Sequence, residues 1–78
     1  MMKQQTTRLH PKKLVMSKWT ATKPHSKEKH FIVVKVIEPK QPELQIETVE
    51  LEAVYSRRSF IMSWRELIDP NQWLQGWQ

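Results

Sequence analysis

The chain has 78 residues, a net charge of +5 and no cysteine. At that length it forms one domain at most and buries only about 60–65% of its unfolded surface, so its core is marginal. Disulfide staples, thiol catalysis and cysteine-based zinc sites are excluded, which leaves four tryptophans and the aliphatic segments to hold the fold.

Residues 1–10 read as a disordered basic tail and 11–78 as a single small tryptophan-rich β domain. Met1 to Arg8 is polar and without periodicity. Pro11 favours either an extended segment or a short helix over Pro11–Met16 with proline at its first position, and Leu14 and Met16 are expected to face inward. Ser17 to Ala21 is a first strand anchored by Trp19. Thr22 to Lys29 reads as a polar, cationic loop around Pro24. Phe31 to Ile37 is a second strand. Its nearly continuous apolar run suits a strand covered on both faces or set in a small closed barrel. Glu38 to Glu43, with two prolines, is a loop. The third strand starts at Leu44. Its apolar phase changes from Leu44 and Ile46 to Val49, Leu51, Ala53 and Tyr55, which a bulge or sharp bend near Thr48 and Val49 would reconcile.

Tyr55 to Phe60 is the expected turn of a hairpin. Its register sets Tyr55 opposite Phe60, Ala53 opposite Met62 and Leu51 opposite Trp64 on one face. Val54 with Ile61, Glu52 with Ser63 and Glu50 with Arg65 form the other. Arg65 to Ile68 is a single turn. Asp69-Pro70 then reads as a helix start, Asn71 to Gln75 as a short helix, and Gly76 as its C-terminal cap. Trp73 and Trp77 would share one helical face and plug the end of the sheet. The expected fold is mainly β: a small antiparallel sheet of about four strands, curled into an SH3-like partial barrel and closed by a short C-terminal helical turn, with a flat meander backed by the C-terminal helix as the alternative.

The charge is unevenly placed. Residues 1–30 carry eight Lys or Arg and one Glu, and residues 31–78 carry five against seven Asp or Glu, so +7 faces −2. A basic arm on a near-neutral body points to an anionic partner, although short basic tails also serve solubility. The candidate nucleic-acid-binding residues are Lys12, Lys13, Lys18, Trp19, Lys23, Lys27, Lys29, Arg57 and Arg58. Trp64, Trp73 and Trp77 are assigned to the core, whereas Trp19, beside Lys18, is kept as a stacking candidate. Tyr55 and Phe60 flank Arg57 and Arg58 and would combine stacking with phosphate contact, against the plainer reading of a cross-strand aromatic pair.

His10, His25 and His30 match no metal-ligand spacing, so no metal is expected. Glu50 and Glu52 lie about 7 Å apart along one strand face, but no nucleophile, base and orienting group accompany them, so no enzymatic activity is expected. No apolar run reaches the roughly 18 residues of a membrane span, and no apolar h-region follows the basic N-terminus. The expectation is a soluble, cytoplasmic, bacterial-type monomer without membrane contact.

Five segments carry a family resemblance. Ser17-Lys18-Trp19-Thr20-Ala21, Lys27-Glu28-Lys29-His30-Phe31, Leu51-Glu52-Ala53-Val54, Trp64-Arg65-Glu66-Leu67 and Trp73-Leu74-Gln75-Gly76-Trp77 resemble the motifs of a bacterial family of short tryptophan-rich proteins of unknown function. The resemblance spans about residues 11–78. It implies that this whole stretch is the domain, and it brings no catalytic residue and no cofactor. The expected function is non-enzymatic binding of nucleic acid, RNA or a single strand more than duplex DNA, through the basic arm and the 23–29 loop. No recognition helix is present to enter a major groove. The alternative is an adaptor that takes an acidic protein on a sheet edge or aromatic groove.

Overall fold

The computed structural model describes residues 10–78, so all of the expected tail except His10 lies outside the described residues. Five antiparallel strands form one open sheet in the order β4-β3-β2-β1-β5: β1 (Lys18–His25), β2 (Glu28–Ile37), β3 (Thr48–Ala53), β4 (Ser59–Ser63) and β5 (Trp73–Gln75). The helical content of the described residues is two 3-10 turns, Pro11–Leu14 and Trp64–Ile68. No helix among them is long and apolar enough to cross a membrane. The core lies on one face of the sheet. Trp19, Phe31, Val33, Val49, Leu51 and Ala53 line it, and Leu14 and Leu67 from the two 3-10 turns close it.

The mainly β expectation holds, but the strand count is five and the C-terminal helical turn is a strand. Asp69 does start a turn: its Oδ1 accepts from the Asn71 N–H, and its carbonyl accepts from the amides of Gln72 and Trp73. That turn ends after one cycle because Trp73–Gln75 pairs with β1, Ala21 opposite Trp73 and Trp19 opposite Gln75. Gly76 has φ +83°, yet it ends a strand rather than caps a helix. Trp73 is half-buried against Phe31, whereas Trp77 is 44% exposed on the other side of the sheet, so they share no face.

The stretch expected as a loop, Thr22 to Lys29, is a hairpin. β1 runs to His25, and Ser26 and Lys27, at φ +53° and +66°, form a two-residue turn of the left-handed type that matches strand twist. The expectation of a loop rested on Pro24 and the charges. However, β5 pairs only with Trp19, Thr20 and Ala21, so β1 has a free edge at Pro24, where a missing N–H disrupts no ladder.

The β3–β4 hairpin is offset four residues from the expected register. Leu51 faces Phe60 and Val49 faces Met62, rather than Leu51 facing Trp64 and Ala53 facing Met62. An even offset keeps the residues that pair in the ladder on their expected faces, so Leu51 and Ala53 are fully buried as the alternation requires. The turn closes earlier because the Ala53 N–H donates to the Arg58 carbonyl (2.8 Å) and Arg57 adopts φ +64°. Tyr55 is therefore 66% exposed at the turn instead of facing Phe60 on the apolar side.

β3 begins at Thr48, not Leu44; Leu44 is exposed while Ile46 is buried. The bulge falls on β2. Val33 pairs with Leu51 and Lys35 with Glu50, leaving Val34 as the extra residue. That shift puts Phe31, Val33 and Val36 against the core together, which explains β2's unbroken apolar run without a sheet covered on both sides. Met16, expected inside, is 63% exposed at φ +71°.

Candidate nucleic-acid interface

In a meander of antiparallel strands, the β1–β2 and β3–β4 turns lie at the same end of the sheet. Side chains join them. Glu28 accepts from Ser56 Oγ and from Arg58 Nε (3.0 Å) and Nη2 (2.6 Å), a two-pronged carboxylate–guanidinium pair. Lys27 Nζ lies 5.9 Å from the Tyr55 ring centre. Glu28 is the one buried charged residue among the described residues. The hydrogen bonds from Arg58 and Ser56 lower its pKa from 4.5 to about 2 against the opposing effect of burial. Reciprocally, the carboxylate raises the Arg58 pKa.

This end of the sheet gathers Lys23, Lys27, Lys29, Arg57 and Arg58 from the candidate residues. The other four are placed elsewhere. Lys12 and Lys13 are exposed on the first 3-10 turn, at the opposite end. Lys18 sits on the outer face, its Nζ 5.1 Å from the Trp77 ring centre. Trp19 is 3% exposed in the core and donates its indole N–H to Ser17 Oγ (2.8 Å), so it has no open face for stacking.

The cations divide by type. Among the described residues all three arginines pair with glutamates: Arg57 with Glu52, Arg58 with Glu28 and Arg65 with Glu47. None of the described lysines is in such a pair, which leaves their ammonium groups open to an outside anion.

Next to this lysine cluster is a cleft of about 260 Å³. Phe31 lies at its centre, with Phe60 from edge strand β4 and Trp73 from edge strand β5 to either side; Lys23, Arg58 and Gln72 also line it. Both rings meet Phe31 edge-on, Phe60 at 6.1 Å and 79° and Trp73 at 5.0 Å and 86°. Trp73 packs against the core as the sequence implies, but a helical reading conceals its place on an edge strand beside the cleft. The Asp69-Pro70 signal hid the strand. A larger groove of about 660 Å³ lies at the opposite end, walled by Pro11, Pro39, Pro42, Leu44, Ile46 and Trp64, with Lys12 and Lys13 also lining it.

No curated protein and no solved structure shows significant similarity to the chain. The family model of the tryptophan-rich proteins DUF2389 matches residues 17–78, beginning at the Ser17-Lys18-Trp19 segment and ending with Trp77-Gln78. With a match over that much of its length, the chain belongs to this tryptophan-rich family.

Proposed function

We propose that the protein is a non-enzymatic module that binds nucleic acid, RNA or a single strand before duplex DNA, at the hairpin end of its sheet. The observation that carries this reading is the cluster of Lys23, Lys27 and Lys29 at one end of the sheet, all exposed and none committed to a carboxylate. Lysines in this state exchange small counterions for phosphates, and the released ions drive binding. Arg57 and Arg58 extend the patch, although each already carries a glutamate. The sheet's strand order and the 3-10 turn before the last strand support an SH3-like partial barrel. That likeness bears on shape alone, since fold does not fix function.

Filter binding of a single-stranded oligonucleotide across a salt series tests the proposal. Affinity is expected to fall steeply with salt, and replacing Lys23, Lys27 and Lys29 by Gln to lower the log–log slope by about one for each lysine that engages a phosphate. Replacing Lys12 and Lys13, at the far end, is expected to change it less. No binding at ~50 mM salt, or affinity indifferent to salt, sinks the proposal.

A second reading, an adaptor for an acidic protein segment, is favoured by the 660 Å³ proline-walled groove and by Lys12 and Lys13, which form no ion pair among the described residues. Retention of one stoichiometric protein after nuclease treatment in a pull-down would select it over the first.

A further inference from the structure

Each tryptophan in a packed small protein normally finds a partner for its indole N–H. Three do here: Trp19 donates to Ser17 Oγ, Trp64 to the Ile46 carbonyl and Trp77 to the Phe31 carbonyl. Trp73 has no such partner among the described residues, and it is half-buried at the edge of the 260 Å³ cleft. Opposite stands Phe60, also half-buried, with the Arg58 guanidinium 5.1 Å from its ring centre. Arg58 uses Nε and Nη2 on Glu28, which holds the guanidinium rigidly at the cleft and leaves Nη1 unpartnered among the described residues. Lys23, His25 and Gln72 also line the cleft, as do Ala21 and Glu28, whose carboxylate the Arg58 guanidinium holds.

We infer that this cleft takes one unstacked nucleobase of a single strand, its ring against Trp73 and Phe60 and its adjoining phosphate on Lys23 and the free edge of Arg58. The inference rests on the nucleic-acid reading above and narrows it. The volume lies just under the roughly 300–1,000 Å³ typical of small-molecule pockets, so it suits one ring system and not two. A base held in a duplex must leave its stack to enter, whereas a base in a single strand is already free to do so. Gln72 and the Trp73 N–H offer hydrogen bonds to a base edge, and the flanking rings accept any base face. The cleft therefore supplies strand selectivity, which the lysine cluster alone does not.

The test compares three fluorescently labelled polyanions at one salt concentration: a single-stranded oligonucleotide, its duplex and heparin. The single strand is expected to bind about tenfold tighter than the duplex. Trp73→Leu is expected to lose roughly tenfold on the single strand, as stacking losses usually run, with heparin affinity unchanged. Because Trp73 also touches Phe31, a second variant guards against a folding defect. Gln72→Trp, on an exposed residue, fills the cleft while leaving the core intact, and it is expected to give the same selective loss. Equal affinity for all three polyanions in the wild type, or variants that bind the single strand unchanged, overturns the base cleft while leaving lysine-driven binding intact. Failure to bind any of the three overturns both.

Discussion

Glu28 shows how one carboxylate can tie two turns together. It sits between Lys27 and Lys29 in sequence, but its partners are Ser56 and Arg58 on another hairpin. Its lowered pKa has a consequence for stability. The folded carboxyl titrates near 2 and the unfolded one near 4.5, so the stabilisation is fully present above about pH 4.5 and is lost as pH falls towards 2. Urea denaturation at a series of pH values checks this. Glu28→Gln is expected to be less stable than wild type at neutral pH, with the gap closing between pH 4.5 and 2. A gap that stays constant through that window would show that Glu28 acts through packing alone. At this scale the sequence was uneven in what it disclosed. The lysines could be counted directly, but the glutamate that commits Arg58 is 30 positions away, and only the placing of both turns brings it into reach. Trp19 anchors its strand as expected, but at 3% exposure it has no face left for the stacking role also considered for it, while Lys18 projects from the opposite face.

At the scale of the element, alternation identified the buried face of β3, though not its start, while turn chemistry failed. Val49, Leu51 and Ala53 have no exposure, as period-two patterning requires. Both hairpin turns, however, use left-handed residues that are not glycine or asparagine: Ser26 and Lys27 in one, Arg57 in the other. Without the usual signal, the first hairpin read as a loop and the second slipped by four residues. Those residues are held in a conformation that costs each of them free energy. The double change Ser26→Asn, Lys27→Gly relieves the cost with the preferred pair for this turn and is expected to stabilise the fold by about 1 kcal/mol in thermal or urea unfolding. A loss of stability would mean that the Lys27 contact with Tyr55 outweighs the backbone strain. The bulge at Val34 was likewise invisible, because two consecutive valines fit either a doubly covered strand or one that shifts phase. The C-terminal strand was hidden by a genuine turn signal at Asp69-Pro70 that the tertiary pairing with β1 cuts short.

Over the whole molecule, the sheet puts its core on one face and gathers Lys23, Lys27 and Lys29 at one end. Mainly β architecture and a single core were legible from composition and alternation. The grouping of the cations was not, since Lys12 and Lys23 look equivalent along the chain and stand at opposite ends of the folded sheet. The outer face has its own tie: buried Thr20 donates its hydroxyl to the Gly76 carbonyl (2.7 Å) and accepts from the Gln78 amide (2.9 Å), fixing the last residues across the sheet. The division of labour between arginines and lysines separates architecture from charge. Acetic anhydride, which modifies primary amines and leaves guanidinium groups alone, would erase most of the positive charge without touching one arginine–glutamate clasp. The treated protein should keep its circular dichroism spectrum, migrate towards the anode and release its polyanion, so a reagent bottle could dissect scaffold from surface in one step.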